Sequence, residues 1–184
     1  MIQVRIHGRG GQGVVTSAEL IAVAAFLDGK EAQAFPYFGV ERRGAPIMAF
    51  ARIDSKPIRL REHVYHPDII IVQDATLLGA VNLSEGAAAK AIMIVNTTKL
   101  PEEVSRLAGF PASSIHTFDA TKIALDTIGR NIVNTVILGA LSKIAGVISL
   151  KSLEAAIKEQ LESKGPEVVK RNIAAIEKAY ASIK

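Results

Sequence analysis

The chain has 184 residues, of which 49% are hydrophobic and 22% charged, and its formal net charge is +4 at pH 7. This length and apolar content predict a single domain over residues 1–184 with a sizeable core. The absence of cysteine excludes disulfides, thiolate metal sites, bound iron–sulfur clusters and cysteine nucleophiles from this chain. No apolar run reaches the roughly 20 residues of a membrane span, and no export signal precedes the first predicted strand, so we expect a cytoplasmic protein.

The first predicted strand, Gln3–His7, leads into a glycine-rich loop, Gly8–Gly13, and then into a predicted helix, Val14–Leu27. A helix start leaves backbone N–H groups without partners and carries partial positive charge. Glycines let a phosphate approach the backbone closely. The glycine spacing also fits the dinucleotide-binding pattern G-x-G-x-x-G. The loop is therefore interpreted as a phosphate site, with a tight connection that serves only packing as the alternative.

The second predicted strand, Glu31–Phe35, provides a test for a nicotinamide cofactor. Folds that bind NAD usually place an acid at the end of this strand, where it binds the ribose hydroxyls. Here Pro36 follows directly, and the nearby acids Asp28 and Glu31 come too early. The residues therefore argue against NAD, whereas NADP and coenzyme A, which each carry a further phosphate, fit a basic loop equally well.

The segment Pro36–Pro46 contains two prolines and two glycines, which predict a loop at the carboxyl end of the second strand, on the same side of the sheet as Gly8–Gly13. Its Arg42-Arg43-Gly44 run is suited to a bidentate phosphate contact, with a solvated surface loop as the alternative. Tyr37 either stacks on a ligand ring or packs the loop. Between residues 40 and 63 the chain has six Lys and Arg against three Asp and Glu.

This basic segment suits a phosphorylated ligand or an acidic partner. Nucleic acid is not expected, because only 5% of the residues are aromatic and no RRM, KH or helix-turn-helix pattern is present.

The rest of the chain alternates between strand and helix patterns. Ile47–Ile53 and Ile58–Glu62 alternate in polarity around a turn and predict an antiparallel hairpin. Further strands are predicted at Ile69–Gln73, Ala91–Val95 and Ser114–Phe118, and helices at Thr76–Ala80, Pro101–Leu107, Ala120–Ile128, Ile132–Ala145, Leu150–Leu161 and Glu167–Ile183. The pattern predicts a Rossmann-like α/β three-layer sandwich with a mostly parallel sheet, an added antiparallel hairpin and a helical carboxyl terminus.

Few other residues suggest chemistry. Asp74 follows a predicted strand and is interpreted as a helix N-cap rather than a catalytic acid. His7 is interpreted as a packed strand-end histidine, with a phosphate contact as the alternative. Asn96 and Thr97 end another predicted strand and would line a cleft at the same edge of the sheet. Thr16 and Ser17 lie in the first turns of the predicted helix, where a hydroxyl would reach a bound phosphate. His63 and His66 have no accompanying carboxylate pair, so no metal site and no catalytic residue are predicted on this chain.

Three motifs together resemble the gamma subunit of 2-oxoacid:ferredoxin oxidoreductases, and among these the pyruvate enzymes most closely. They are the glycine loop with the following valines, Gly8–Val15, the segment Phe35–Pro46 with its E-R-R-G-A-P run, and Asp68–Asp74. The run Asn134–Leu141, which contains L-G-A-L, is also similar to a helix of that family. The glycine motif alone is weak, but its pairing with the second loop is specific.

The resemblance implies an oxidoreductase that decarboxylates a 2-oxoacid, transfers the acyl group to coenzyme A and passes two electrons to ferredoxin. It implies alpha, beta and delta-type partner subunits in a heterotetramer, with thiamine diphosphate, Mg²⁺ and 4Fe–4S clusters on those partners. The gamma subunit would hold coenzyme A. The implied cofactor-binding residues are Gly8, Arg9, Gly10, Gly11, Gln12, Gly13, Val14, Tyr37, Arg42, Arg43 and Gly44.

Overall fold

A computed structural model describes residues 1–37 and 43–183. The strands are β1 (Ile2–Arg9), β2 (Glu31–Pro36), β3 (Pro46–Asp54), β4 (Ile69–Val72), β5 (Ile92–Asn96) and β6 (Ile115–Phe118). The helices are α1 (Val14–Leu27), α2 (Pro101–Ala108), α3 (Ala120–Ile128), α4 (Val133–Ala145), α5 (Leu150–Leu161) and α6 (Pro166–Ser182). Short 3₁₀ turns lie at Ala75–Leu77, Ala112–Ser114 and Glu162–Lys164.

The strands of the described residues form one sheet in the order β2-β3-β1-β4-β5-β6. Strands β1, β4, β5 and β6 are parallel to one another, whereas β3 is antiparallel to both of its neighbours, β1 and β2. The carboxyl ends of β1 and β2 therefore point to the same edge of the sheet. The mostly parallel α/β sheet is confirmed.

The predicted hairpin is wrong in its second strand. Residues 58–62 form no strand, because both edges of β3 are already occupied by β1 and β2. Side chains hold this segment instead: Arg52 donates to the carbonyls of Glu62 and His63, at 2.6 and 3.1 Å, and Gln33 donates to the carbonyl of Ile58 at 3.0 Å. The antiparallel pairs that the structure does contain join β3 to β2 and to β1.

Two apolar layers cover the sheet and complete a three-layer arrangement. On one face, Val4, Ile6 and Ile71 pack against α1, α4, α5 and α6. On the other face, Ile70 and Met93 pack against α2 and the segment 77–91. Continuous apolar strands such as β4 are explained by this burial on both faces.

Local capping signals determine where several helices begin and end. The Asp119 carboxylate accepts from the Lys122 N–H at the start of α3, and Gly129 ends that helix with φ +80°. The Ser149 hydroxyl caps α5 in the same way. The predicted helix Thr76–Ala80 is instead the 3₁₀ turn Ala75–Leu77, which the Asp74 carboxylate caps and after which Gly79 takes φ +75°. The N-cap role of Asp74 is confirmed.

Helix α4 lies unusually close to α6 at Gly139. A Cβ at this position would overlap the carbonyl oxygen of Ile176 and lie 3.0 Å from its Cα. Nearby, the Thr135 hydroxyl donates to Oδ1 of Asn172 across the same interface at 2.8 Å. The small residue within the L-G-A-L run is therefore explained by helix packing.

We expect Gly139→Ala to lower the free energy of unfolding by about 1–3 kcal/mol, because the added methyl group must push α6 away from α4. In an unobstructed helix the same change would raise stability, since alanine has the higher helix propensity. Urea unfolding of both proteins measures the sign. An unchanged or increased stability would contradict the close packing.

Candidate functional site

The glycine loop joins β1 to α1 at the carboxyl edge of the sheet. Gly11 and Gly13 take φ values of +92° and +72°, which residues other than glycine rarely adopt. Gly13 is the N-cap of α1 and contributes no side-chain cap. The first N–H groups of this 14-residue helix therefore open toward the loop without partners within the helix. Gly11 is exposed to solvent.

Two of the glycines serve packing. A Cβ at Gly8 would lie 2.5 Å from Cγ2 of Val14, and a Cβ at Gly13 would lie 2.6 Å from Nδ2 of Asn134. These positions let α1 and α4 approach the end of β1. The packing interpretation therefore applies to Gly8 and Gly13, whereas Gly11 faces outward.

The second loop lies directly against the glycine loop. The Gly10 N–H donates to the carbonyl of Ala45 at 2.9 Å, and the Gly44 N–H donates to the carbonyl of Gly10 at 3.1 Å. The side chain of Arg43 reaches over Gly11, where its Cγ would lie 3.8 Å from an added Cβ. The predicted proximity of the two loops is confirmed for these residues. Arg42, also predicted for the site, lies outside the described residues.

Arg9 and Gln12 brace the loop from within. Oε1 of Gln12 accepts from the Arg9 N–H at 2.7 Å, and its Nε2 donates to Oδ2 of Asp74 at 2.6 Å. The Arg9 guanidinium donates to the carbonyl of Gly44 at 3.0 Å and, from Nη2, to the hydroxyl of Thr76 at 2.7 Å. These two predicted ligand residues thus connect both loops to the end of β4.

The carboxylate of Asp74 is the centre of this network. Burial raises the pKa of Asp74, but hydrogen bonds from Thr76 and Gln12 and the charge of Arg9 outweigh it and hold that pKa below its usual value. The carboxylate is therefore ionised at neutral pH, as a cap and hydrogen-bond acceptor requires.

A small polar cleft of about 210 Å³ lies beside the loop, with Gln12, Gln73 and Asn96 among its lining residues. Nδ2 of Asn96 donates to the carbonyl of Gln73 at 2.9 Å. Ser17 is fully buried behind it, where its hydroxyl accepts from Nε2 of Gln73 at 2.6 Å and donates to the carbonyl of Asn134 at 3.0 Å. The Ser17 hydroxyl is therefore buried and already hydrogen-bonded within the protein, and the predicted phosphate contact from it is wrong. Thr97 does not line this cleft; its hydroxyl accepts from the Lys99 N–H.

A larger cavity of about 750 Å³ lies on the face of β1 and β3 that α1 does not cover. Arg5 and His7 of β1 form part of its floor together with Met48 and Phe50 of β3. Tyr37 lines this cavity, where its ring lies 4.8 Å from that of His63 and 6.3 Å from that of Phe50. Tyr37, predicted to bind a cofactor, therefore packs in the wall of this second cavity.

Sequence reasoning missed Arg5. The signal was present, since Arg5 and His7 alternate with Val4 and Ile6 and so share one face of the strand. Such alternation is usually interpreted as a solvated face, but both polar side chains are buried here, at 6% and 4% exposure. Burial, together with the smaller effect of the nearby charge of Arg5, lowers the pKa of His7 to about 3.

Neither a metal site nor a membrane span is found in the parts of the chain that the structure describes. Within residues 1–37 and 43–183, no three His, Asp or Glu side chains come together in a way that could hold a metal ion. No helix in these ranges is both long and apolar enough to cross a bilayer.

We expect Asp74→Ala to lower stability by about 1–2 kcal/mol, because it removes a cap and the acceptor of Gln12. Asp119→Ala is a matched control, since Asp119 caps α3 without contacting the glycine loop. Hydrogen exchange should quicken at the Gly10 and Gln12 amides, which are hydrogen-bonded within and between the two loops, only in Asp74→Ala. Equal exchange in the two variants would contradict the bracing role.

We expect His7 to make stability depend on pH. Its pKa is lower in the folded than in the unfolded chain, so the unfolded chain binds more protons between about pH 3 and 6.5. Stability is then fully present above pH 6.5 and is lost as the pH falls. Urea unfolding from pH 7 to 4.5 should give His7→Gln a slope smaller by about 1.4 kcal/mol per pH unit, which corresponds to one proton. Parallel slopes for the two proteins would refute this.

Comparison with known proteins shows the family of the chain. The profile of the family described as pyruvate ferredoxin/flavodoxin oxidoreductase matches residues 3–182. The chain is 49% identical over 180 residues to the pyruvate/ketoisovalerate oxidoreductases common subunit gamma of Pyrococcus furiosus, covering 98% of this chain and 96% of that protein.

Solved structures give the same result. The pyruvate oxidoreductase subunit PORC of Thermotoga maritima superimposes with a TM-score of 0.86 at 39% identity, over 100% of this chain and 97% of that one. The 2-oxoglutarate:ferredoxin oxidoreductase of Magnetococcus marinus, solved with 2-oxoglutarate, coenzyme A and succinyl-CoA bound, shares the fold with a TM-score of 0.76 at 22% identity. That match covers 98% of this chain and 30% of the longer one.

The family match spans nearly the whole chain, and the gamma subunit of Pyrococcus furiosus is similar over almost its full length. The chain therefore belongs to the pyruvate ferredoxin/flavodoxin oxidoreductase family, as a gamma subunit of a 2-oxoacid:ferredoxin oxidoreductase.

Proposed function

We propose that this subunit holds coenzyme A through its phosphates at the glycine loop and so positions it for acyl transfer within the assembled oxidoreductase. The observation that carries the proposal is the side chain of Arg43 lying over the exposed Gly11, beside the open start of α1. Backbone N–H groups, a helix dipole and a guanidinium then converge on one surface that has no Cβ to block an anion.

The residues fit this cofactor in three respects. Among the described residues, an added Cβ at Gly11 would meet Arg43 alone within 4 Å. The N-cap Gly13 leaves the first turn of α1 without a side-chain cap. Arg43 is exposed, and no described carboxylate forms an ion pair with it. Gly11, Gly13, Val14 and Arg43 would hold the cofactor, which supplies the thiol that accepts the acyl group.

The other predicted ligands have different roles in the proposal. The N–H of Gly10 and the carbonyl of Gly44 already bond within the two loops, and Arg9 and Gln12 brace them. These residues would shape the site rather than contact phosphate. Arg42 remains a proposed second arginine for the further phosphate of coenzyme A.

Within the alternative of a self-contained NAD(P) domain, NAD is disfavoured by the position of the acids. Glu31 opens β2, at the edge of the sheet opposite to the glycine loop. The Asp28 carboxylate accepts from the hydroxyls of Ser149 and Ser152, each at 2.6 Å. Neither acid is placed to bind a ribose beside Gly8–Gly13. The Magnetococcus marinus relative, solved with coenzyme A and succinyl-CoA bound, supports the choice of coenzyme A.

We further propose alpha, beta and delta-type partner subunits, with this chain contributing to their assembly. Thiamine diphosphate, Mg²⁺ and 4Fe–4S clusters would belong to those partners, in keeping with the absence of cysteine here. Pyruvate is the proposed 2-oxoacid. Because the Pyrococcus furiosus relative is described as common to pyruvate and ketoisovalerate enzymes, we propose that the partner subunits select the acid.

We expect Gly11→Asp to raise the apparent KM for coenzyme A at least about tenfold over that of Gly11→Asn in the assembled enzyme. Both side chains impose the same backbone strain at φ +92°, so they differ mainly in charge. A tenfold change corresponds to about 1.4 kcal/mol of repulsion. Steady-state assays with coenzyme A varied at saturating 2-oxoacid measure it, and the KM for the 2-oxoacid serves as the internal control.

Three outcomes would reject the proposal. Equal KM values for coenzyme A in the two variants would show that the glycine loop does not bind a phosphate of coenzyme A. An increase confined to the KM of the 2-oxoacid would assign the loop to a different ligand. A native protein that purifies without other subunits would contradict the proposed assembly.

A further inference from the structure

The cavity between β1, β3 and the segments 63–66 and 77–86 is built on two buried arginines. Arg5 donates through Nη2 to the carbonyls of Leu83 and Glu85, at 2.9 and 2.7 Å, and so holds one wall. Arg52 holds the other wall through the carbonyls of Glu62 and His63. No carboxylate among the described residues forms an ion pair with either arginine. Of the two arginines, Arg5 lines the cavity itself, and the charge of Glu85, which also lines it, acts on Arg5 without a direct ion pair.

Two polar atoms in the floor lack partners. Nε of Arg5 and Nε2 of His7 are both buried, and neither has a hydrogen-bond partner among the described residues. Both side chains line the cavity and are more than nine-tenths buried. Burying a hydrogen-bond donor without a partner is unfavourable, and more so when the donor is charged. The floor therefore contains two hydrogen-bonding groups without partners and one guanidinium that is not in direct contact with a described carboxylate.

The walls determine what kind of anion fits. Met48, Phe50 and Val64 present apolar surface, and Tyr37 and Tyr65 stand at the rim with 37% and 59% exposure. Such walls favour a ligand with an apolar or aromatic body. A doubly charged phosphate would lose much hydration here for one guanidinium, whereas a single negative charge matches it.

We propose that this cavity binds a carboxylate carried on an apolar or aromatic body, with its oxygens on Arg5 and His7. Residues two apart on one strand face are about 7 Å apart, so one carboxylate can accept from both side chains. The inference does not rest on the coenzyme A site proposed at the glycine loop. The carboxylate belongs either to a free organic acid or to an acidic side chain of another subunit.

Binding to the full-length chain tests the free acid. We expect phenylacetate and 3-methylbutanoate to bind in calorimetry or NMR titration, and the neutral isostere phenylacetamide to bind at least about tenfold more weakly. Arg5→Met should abolish carboxylate binding, whereas Arg106→Ala, which removes an exposed arginine on α2, should not. Tyr65→Ala should weaken the binding of phenylacetate more than that of 3-methylbutanoate. This variant provides the test if Arg5→Met does not fold.

Assembly with the partner subunits tests the second source. If no free carboxylate binds, Arg5→Met or Tyr65→Ala should weaken association with the partner subunits at least about tenfold, while Arg106→Ala assembles normally. Either Arg5-dependent result supports a carboxylate site and identifies its source. The proposal is overturned if folded Arg5→Met neither loses carboxylate binding nor changes assembly, or if phenylacetamide binds as tightly as phenylacetate.

Discussion

Strand β1 is the element on which both sites depend, because it is paired along both edges and buried on both faces. Its pairing with β4 and β3 holds the strand in the middle of the sheet. Its carboxyl end leads into the glycine loop, one face carries Val4 and Ile6 into the main core, and the other presents Arg5 and His7 to the large cavity. One eight-residue strand thus supports a solvent-facing anion surface and a buried polar floor.

The helices and parallel strands could be predicted because their signals are local. Helices α3 and α5 have the predicted bounds, since Asp119, Gly129 and Ser149 mark their ends within the sequence itself. Continuous apolar runs such as Ile69–Val72 indicated burial on two faces without any knowledge of the neighbours. The glycine loop and its partner loop were likewise found from spacing and strand direction.

What could not be predicted depends on residues far apart in the chain. The alternation in residues 58–62 suits a strand, but whether it pairs depends on free edges, and β2 and β1 already occupy those of β3. The packing role of Gly13 involves Asn134, more than a hundred positions away. The burial of Arg5 requires the carbonyls of Leu83 and Glu85, which the tertiary fold alone supplies. The alternating pattern showed that Arg5 and His7 share one face of the strand, but not that this face is buried.

The antiparallel strand β3 also changes how the dinucleotide-binding pattern G-x-G-x-x-G in the glycine loop should be interpreted. Because β3 lies between β1 and β2, the end of the second strand is one strand spacing, about 4.8 Å, further from the glycine loop than in a sheet where these two strands are neighbours. Installing an acid after Phe35 would therefore leave it out of reach of a nucleotide sugar on that loop. The order of strands, rather than a missing side chain, separates this fold from the nicotinamide-binding enzymes, and a single substitution would not convert one into the other.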